Sequence, residues 1–350
     1  MTPKPAAKKL ETWYRTHRRS LPWRKSHDPY RIWISEIMLQ QTQVTTVIPY
    51  FERFISRFPT IQSLANAEET DVFALWAGLG YYSRARNLMK GARYLVNNHD
   101  GKIPRDRNQV LDIPGIGPYT AGAILSIAYN LRVPIVDGNV ARVFARYYGI
   151  RKSLKEGSTQ KRLWESAEDW VEKATEPREL NQALMELGAM ICRKGKPLCE
   201  SCPIARDCVA RLKGWTDELP LTAPRKKAVE LFWVKMLWER NGKFFLQKNP
   251  KGQWWADLWD FPYAPASDLA EVPQSVEKLK KKYGGRWKEL NHRKHTVTHH
   301  KLHVIPYHCQ LSKKPNEPGE WVSEAELSRF PVSSLAKKII TSYRDEKPSP

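Results

Sequence analysis

Cys192, Cys199, Cys202 and Cys208 follow the spacing C-x6-C-x2-C-x5-C. CxxC places two sulfurs on one turn, and the longer arms can close the other two around the same centre. Zinc usually takes two separated CxxC-like knuckles. One CxxC with two flanking arms suits a [4Fe–4S] cube better, so the spacing favours the cube and keeps zinc as the alternative. A disulfide framework is not indicated, because oxidised scaffolds are short and cysteine-dense throughout. Arg193, Lys194 and Lys196 lie between the first two cysteines, so a metal centre there would also fix a basic loop suited to phosphate.

Two carboxylates form the second constellation. Glu36 lies among Ile32, Trp33 and Ile37, with no basic residue three or four positions away. A helical charge often faces water, but these neighbours favour desolvation. A desolvated carboxyl has a raised pKa and can hold a proton near neutrality. Asp137 follows an apolar run in Val136-Asp137-Gly138-Asn139-Val140. With Glu36 it forms an acid/electrostatic pair of the kind used on glycosidic bonds. Upstream, Pro114-Gly115-Ile116-Gly117-Pro118 reads as a tight turn with two glycines free to take φ > 0 and a proline where a helix starts. Exposed N–H groups at such a start make an anion site, so Gly115 and Gly117 are expected to clamp phosphate.

The elements that must position these groups read as helices through the first 190 residues. Ile34, Ile37, Met38, Val44, Val47, Ile48, Phe51, Phe54 and Ile55 recur at helical spacing. Leu21-Pro22-Trp23-Arg24 reads as an extended break, because the residue before proline disfavours helix. A helix from Asp71 stops at Gly78-Leu79-Gly80, and the next runs from Tyr81 to about Asn97. Further helices are expected at 106–112, 119–129, 139–147, 158–173 and 178–191. Residues 214–230 carry two prolines and a basic run without periodicity, as a linker would. Strands at 231–238 and 243–247 flank Asn241-Gly242, a hairpin signal, and a strand at 302–310 and a helix at 333–343 follow. The expected architecture is an all-α domain over 1–213, a smaller α/β domain over 231–345, and a disordered tail at 346–350.

The charge balance narrows the partners. The 350 residues carry 58 Lys and Arg against 37 Asp and Glu, a net charge of +21. That excess favours a polyanion. No apolar run approaches the roughly 18 residues of a spanning helix, and the N-terminus has no hydrophobic signal core. The chain is therefore expected in the cytoplasm, associated with the nucleoid, with no membrane partner.

Taken together, these motifs resemble the helix–hairpin–helix DNA glycosylases with an iron–sulfur loop, and in particular the adenine DNA glycosylase family (MutY type). The resemblance rests on LPWR at 21–24, SEIMLQQTQV at 35–44, GLGYYSRARN at 78–87, LDIPGIGPYTAGAI, VDGNVARV at 136–143, LNQALMELGAMIC at 180–192 and the cysteine loop. More weakly, GQWWADLWDFP at 252–262 and HTVTHHKLHVIP at 295–306 resemble that family's Nudix-like domain.

The resemblance implies a monomeric enzyme of base excision repair acting on double-stranded DNA with adenine opposite 8-oxoguanine or guanine. Glu36 would protonate adenine N7, and Asp137 would stabilise the oxocarbenium-like sugar or trap it covalently. Asn139 would position Asp137, and Tyr119 would line the sugar side. Trp23, Arg24 and Gln182 would hold the flipped adenine, while Gln41 and Tyr81 would enter the duplex it left. Relatives resembling endonuclease III carry a lysine where Tyr119 stands; a lysine amine forms a Schiff base and cleaves the strand, so tyrosine implies base removal alone. The loop that reads 8-oxoguanine commonly runs Phe-Ser-His in the family, and here the matching residues are Val297, Thr298 and His299. Thr298 keeps the hydroxyl and the aromatic ring is lost. No glutamate-rich hydrolytic Nudix box is present. The rival readings are a thymine or oxidised-pyrimidine glycosylase on the same scaffold, and a DNA-binding protein that uses the cluster and hairpin only as clamps.

Overall fold

The computed structural model describes residues 3–221, 227–250, 252–311, 315–328 and 330–346. The chain forms two compact units, Met1–Ala67 with Ser83–Pro224 and Glu68–Tyr82 with Arg225–Pro350. Among the described residues no helix is long and apolar enough to cross a membrane.

The first unit is helical. It contains α1 (Pro3–His17), α2 (Pro29–Leu39), α3 (Val44–Arg57) and α4 (Ile61–Ala65); α5 (Glu69–Trp76) belongs to the second unit. The first then continues with α6 (Ser83–His99), α7 (Arg107–Leu111), α8 (Pro118–Ala123), α9 (Gly138–Tyr147), α10 (Gly157–Glu172), α11 (Pro177–Met190) and α12 (Val209–Lys213). α2 is the helix that matters most for the site. Ile32, Trp33, Ile34, Ile37 and Met38 bury all of its faces, which draws Ser35 and Glu36 inside as well. Asp28 caps its start by accepting from the Tyr30 N–H at 2.9 Å, with Pro29 in the first turn. The open carbonyls at its other end are met by Arg84, which donates to the oxygens of Ile37, Met38 and Gln40 at 2.9, 3.0 and 2.5 Å. A separate apolar cluster joins α1, α9, α10 and α11 through Leu10, Tyr14, Phe144, Trp170, Leu180 and Leu184.

Local details depart from the sequence-based expectations. Pro22–Arg24 is a short 3-10 turn, and only Leu21 before it is extended, because the fixed φ of Pro22 suits the first position of a turn. In the hairpin, Gly115 has φ +85, but Gly117 is extended at φ −100 and ψ 177 as the residue before α8. A Cβ at Gly115 would sit 2.5 Å from Asn87 Cβ, so this glycine is needed for space as well as conformation. The helix after the hairpin changes at Ile124–Ala128 into a π-type turn. The linker expected over 214–230 ends earlier, since strand pairing begins at Val229; its residues 222–226 lie outside the described ones. Glu346 closes a helix rather than opening a tail, and residues 347–350 also lie outside the described residues.

The second unit is a mixed sheet with a helix on each face. β1 (Val229–Arg240) runs parallel to β7 (His300–Gln310) over its length, and β2 (Lys243–Lys248) pairs antiparallel with β1. Around them lie β3 (Trp259–Asp260), β4 (Tyr263–Ala266), β5 (Arg286–Glu289), β6 (Arg293–Val297) and β8 (Glu320–Ser323). Asn241 and Gly242 both take positive φ, 50° and 70°, as the two-residue hairpin between β1 and β2 requires. Alternation along β1 sends Val234, Met236 and Trp238 to the face covered by α13 (Val272–Tyr283). Leu237 faces α14 (Ser334–Glu346).

Candidate active site

The site begins where α2 exposes a buried carboxyl to a cavity of about 530 Å³ in the first unit. Glu36 is only 5% exposed, so the wet-face alternative for this residue does not hold. Burial raises its pKa to about 7, aided by the charge of Asp137, while the Tyr119 hydrogen bond and Arg24 pull it down. Tyr119 Oη, from the first turn of α8, donates to Glu36 Oε2 at 2.5 Å and lies 3.3 Å from Met185 Sδ.

Asp137 comes to the same cavity as the N-cap of α9. It accepts from the Val140 N–H at 2.7 Å and from Asn139 Nδ2 at 2.8 Å. Burial raises its pKa, and these hydrogen bonds oppose the rise. The helix start adds a positive dipole end that favours the ionised form. The two carboxyls therefore share a pocket in different surroundings, one apolar and one rich in donors.

Trp23, Arg24, Gln41 and Gln182 line this cavity too. Trp23 packs edge-on against Phe51. Gln182 is 7% exposed and donates to the Arg178 carbonyl. Arg24 is held by Glu186, with Nη2 to Oε2 at 2.9 Å, and Arg19 pairs with the same carboxylate at 2.8 Å. Those two guanidiniums bring Glu186 to a pKa of about 2 against the cost of burial. Glu186 and Arg19 were not singled out from sequence; the helical step from Gln182 to Glu186 was the available signal. Gln41 is exposed in a left-handed conformation at φ +57.

The hairpin glycines are exposed outside the cavity lining, and a Cβ at Gly117 would meet nothing within 4 Å. In the second unit, Tyr81 is 53% exposed at φ +49, and Thr298 is exposed at φ +55 in the two-residue turn between β6 and β7, where His299 is half-buried.

The cysteine loop is tied to α9. All four thiols line one small cavity, with Arg146 beside them. Arg146 donates to Cys192 Sγ at 3.4 Å and to the Arg193 and Gly195 carbonyls at 2.9 and 3.1 Å. Burial raises the Cys199 and Cys208 thiols, and pushes Cys202 up to about 12. Among the described residues no His, Cys, Asp or Glu group is drawn together as ligands of a single ion. Four thiols around one cavity, with a guanidinium to offset thiolate charge, fit an enclosed iron–sulfur group.

Residues 34–169 match the HhH-GPD superfamily of base excision DNA repair proteins, and 233–342 match the NUDIX domain family. A solved thermostable thymine-DNA glycosylase superimposes with a TM-score of 0.55 at 32% identity, over 61% of this chain and 97% of that one. Fold and pocket thus define a two-domain protein of the helix–hairpin–helix glycosylase class. Adenine DNA glycosylase of Buchnera aphidicola subsp. Acyrthosiphon pisum is 40% identical over 341 residues, covering 96% of each chain. The human adenine DNA glycosylase is 33% identical over 405 residues, covering 97% of this chain and 74% of its own. The chain belongs to the adenine DNA glycosylase family.

The raised Glu36 pKa has a stability consequence. Between the ordinary value of 4.5 and about 7 the folded state holds a proton that the unfolded state has released. Stability is therefore lost as pH rises through this window, by roughly 3 kcal/mol from this group. Glu36→Gln removes the loss. Thermal melts at pH 5 and pH 8 are expected to show the variant gaining on the wild type at pH 8; an equal difference at both pH values would contradict the buried, proton-holding carboxyl.

Proposed function

We propose that the protein is a monofunctional adenine DNA glycosylase that excises adenine opposite 8-oxoguanine or guanine and leaves an abasic site. The observation that carries the reading is the pairing of Glu36 with Asp137 in one cavity, the first protonated near neutrality and the second held among hydrogen-bond donors. Family membership supports the adenine assignment.

An extruded adenine enters the cavity, where Trp23, Arg24 and Gln182 hold it. Glu36 donates its proton to N7, so the base departs neutral as the C1′–N9 bond breaks. Asp137 then faces positive charge on the sugar and stabilises it, either electrostatically or by transient bonding to C1′. Water then adds at C1′, displacing Asp137 if a bond to it has formed, and gives up a proton that restores the Glu36 acid. Tyr119 keeps the Glu36 carboxyl in place. No lysine stands at this position, so the strand stays intact. Residues 1–213 carry excision, with Gln41 and Tyr81 entering the duplex and Gly115 and Gly117 clamping its backbone. The residues from Val229 onward, through Thr298 and His299, read the opposite base, and those between 214 and 228 link the two. The chain acts as a monomer in the cytoplasm, at the nucleoid.

Cys192, Cys199, Cys202 and Cys208 would hold a [4Fe–4S] cluster. The loop closed around it would present Arg193, Lys194 and Lys196 to the DNA backbone.

Base release is to be compared on duplexes with A:8-oxoguanine, A:G, T:G and thymine glycol. Adenine is expected to leave the first fastest. Release from T:G or thymine glycol at a higher rate would favour the thymine or oxidised-pyrimidine reading, to which the thymine-DNA glycosylase likeness gives some weight. Glu36→Gln is expected to bind the duplex and release almost no adenine; unchanged turnover would remove Glu36 as the acid. Borohydride should trap little enzyme on DNA, and efficient trapping would overturn the monofunctional assignment. Metal analysis should find iron and acid-labile sulfide in equal amounts, and zinc without sulfide would overturn the cluster.

A further inference from the structure

A third carboxylate lines the cavity of the first unit, and the proposed excision chemistry leaves it without a role. Glu186, on α11, is 1% exposed, and five donors converge on its two oxygens. Oε1 accepts from the Arg19 backbone N–H at 2.9 Å, from Arg19 Nε at 2.8 Å and from Arg24 Nη1 at 3.2 Å. Oε2 accepts from Arg19 Nη2 and Arg24 Nη2 at 2.8 and 2.9 Å. Arg24 also donates to the Arg19 carbonyl at 3.1 Å, and its guanidinium stands 5.5 Å from the centroid of the Tyr14 ring. A buried ion pair adds little net stability over apolar packing of the same volume, so stability alone gives this triplet no reason to stand at a cavity wall.

A charge count around the cavity supplies a reason. Its ionisable lining groups are Arg19, Arg24, Glu36, Tyr119, Asp137 and Glu186. Arg84, from α6, meets the C-terminal end of α2, and Arg18 and His27 line an adjoining cavity with Arg24. With Glu36 protonated and Asp137 ionised, two guanidiniums face two carboxylates and the lining is neutral. Without the charge of Glu186 it becomes +1. A guanidinium favours the ionised form of a nearby carboxyl, and Arg24 exerts that pull on Glu36. The same excess would oppose positive charge growing on the sugar. The two guanidiniums hold the Glu186 pKa at about 2, so its charge is present throughout the range in which Glu36 titrates.

We propose that Glu186 is a positioning residue for excision: it seats Arg24 at the cavity wall and cancels guanidinium charge, keeping the lining neutral for a neutral acid and a cationic sugar. It touches neither base nor sugar and acts through Arg24 and Glu36. The inference rests on Glu36 as the acid of the proposed reaction, and its test reads the Glu36 carboxyl separately from base release.

The test follows the Glu36 carboxyl by ¹³C NMR and single-turnover adenine release, both across pH, in Glu186→Gln, Glu186→Asp and Arg19→Gln. Glu186→Gln keeps an acceptor and loses the charge. Its Glu36 carboxyl is expected to titrate about one pH unit lower than in the wild type, the scale of one uncancelled neighbouring charge. Release needs the protonated acid, so its rate falls as pH rises through that titration, and falls earlier in the variant. The ratio of wild-type to variant rate should therefore rise about sevenfold between pH 5.5 and pH 8. Glu186→Asp retains the charge and should follow the wild-type pH profile. Arg19→Gln removes a positive charge, leaves Arg24 paired with Glu186, and should move the Glu36 titration upward. A purely structural Glu186 would slow Glu186→Gln equally at every pH and leave the Glu36 titration in place, and that result would overturn the proposal. So would a titration in Arg19→Gln that stays fixed or falls, which decides the matter should Glu186→Gln not fold. Titrations that move as expected in a protein whose wild type releases no adenine would overturn the excision reading and leave the electrostatic link standing.

Discussion

A carboxyl group deprived of water at the wall of a cavity is the constraint on which the helical unit depends. Glu36 costs stability wherever it is ionised, and it remains buried because α2 is apolar on every side. The short hydrogen bond from Tyr119 fixes the carboxyl and itself favours the charged form; desolvation is the larger effect and wins. The surrounding structure has to resist the tendency of that carboxyl to move toward solvent. Arg84 does so at the C-terminal end of α2, where one guanidinium gathers several carbonyls that would otherwise be unmet. Arg24 and Glu186, paired with each other, also line the cavity.

Asp137 depends on a different set of restraints. Arg142 donates to Asn139 Oδ1 at 2.8 Å and to the Gly188 and Cys192 carbonyls at 2.6 and 2.8 Å. Asn139 in turn donates to Asp137. Backbone approach between α9 and α11 is close enough that a Cβ at Gly188 would fall 2.6 Å from Asn139 Cβ. The cysteine loop, α11 and the cap of α9 thus form one connected set of contacts. Arg142 is the link between them, bonded to the Cys192 carbonyl on one side and to Asn139, beside Asp137, on the other.

Much of this was legible in the sequence, for identifiable reasons. Helices with a clear apolar period, such as α3 and α9, and the hairpin at Asn241-Gly242 follow from local chemistry. So does the desolvation of Glu36, since its own helix supplies the apolar neighbours. What the sequence hid was long-range. Nothing near Arg24 names Glu186 as its partner, and nothing near Lys235 names Asp260. A lysine in the middle of a strand reads as a solvent-facing residue until the sheet buries it. Gly117 shows a further limit: a glycine permits positive φ without requiring it, and here it takes the extended conformation. The grouping of Glu68–Tyr82 with the second unit leaves no mark in composition or periodicity.

The protonation of the Glu36 carboxyl can be observed directly. Carboxyl-selective ¹³C NMR of protein labelled in its glutamate side chains, with the Glu36→Gln variant for assignment, follows that group through pH. One glutamate carboxyl is expected to titrate at about 7 and to be missing from the variant. A resonance lost in Glu36→Gln that titrates in the ordinary carboxylate range instead would contradict a proton-holding Glu36.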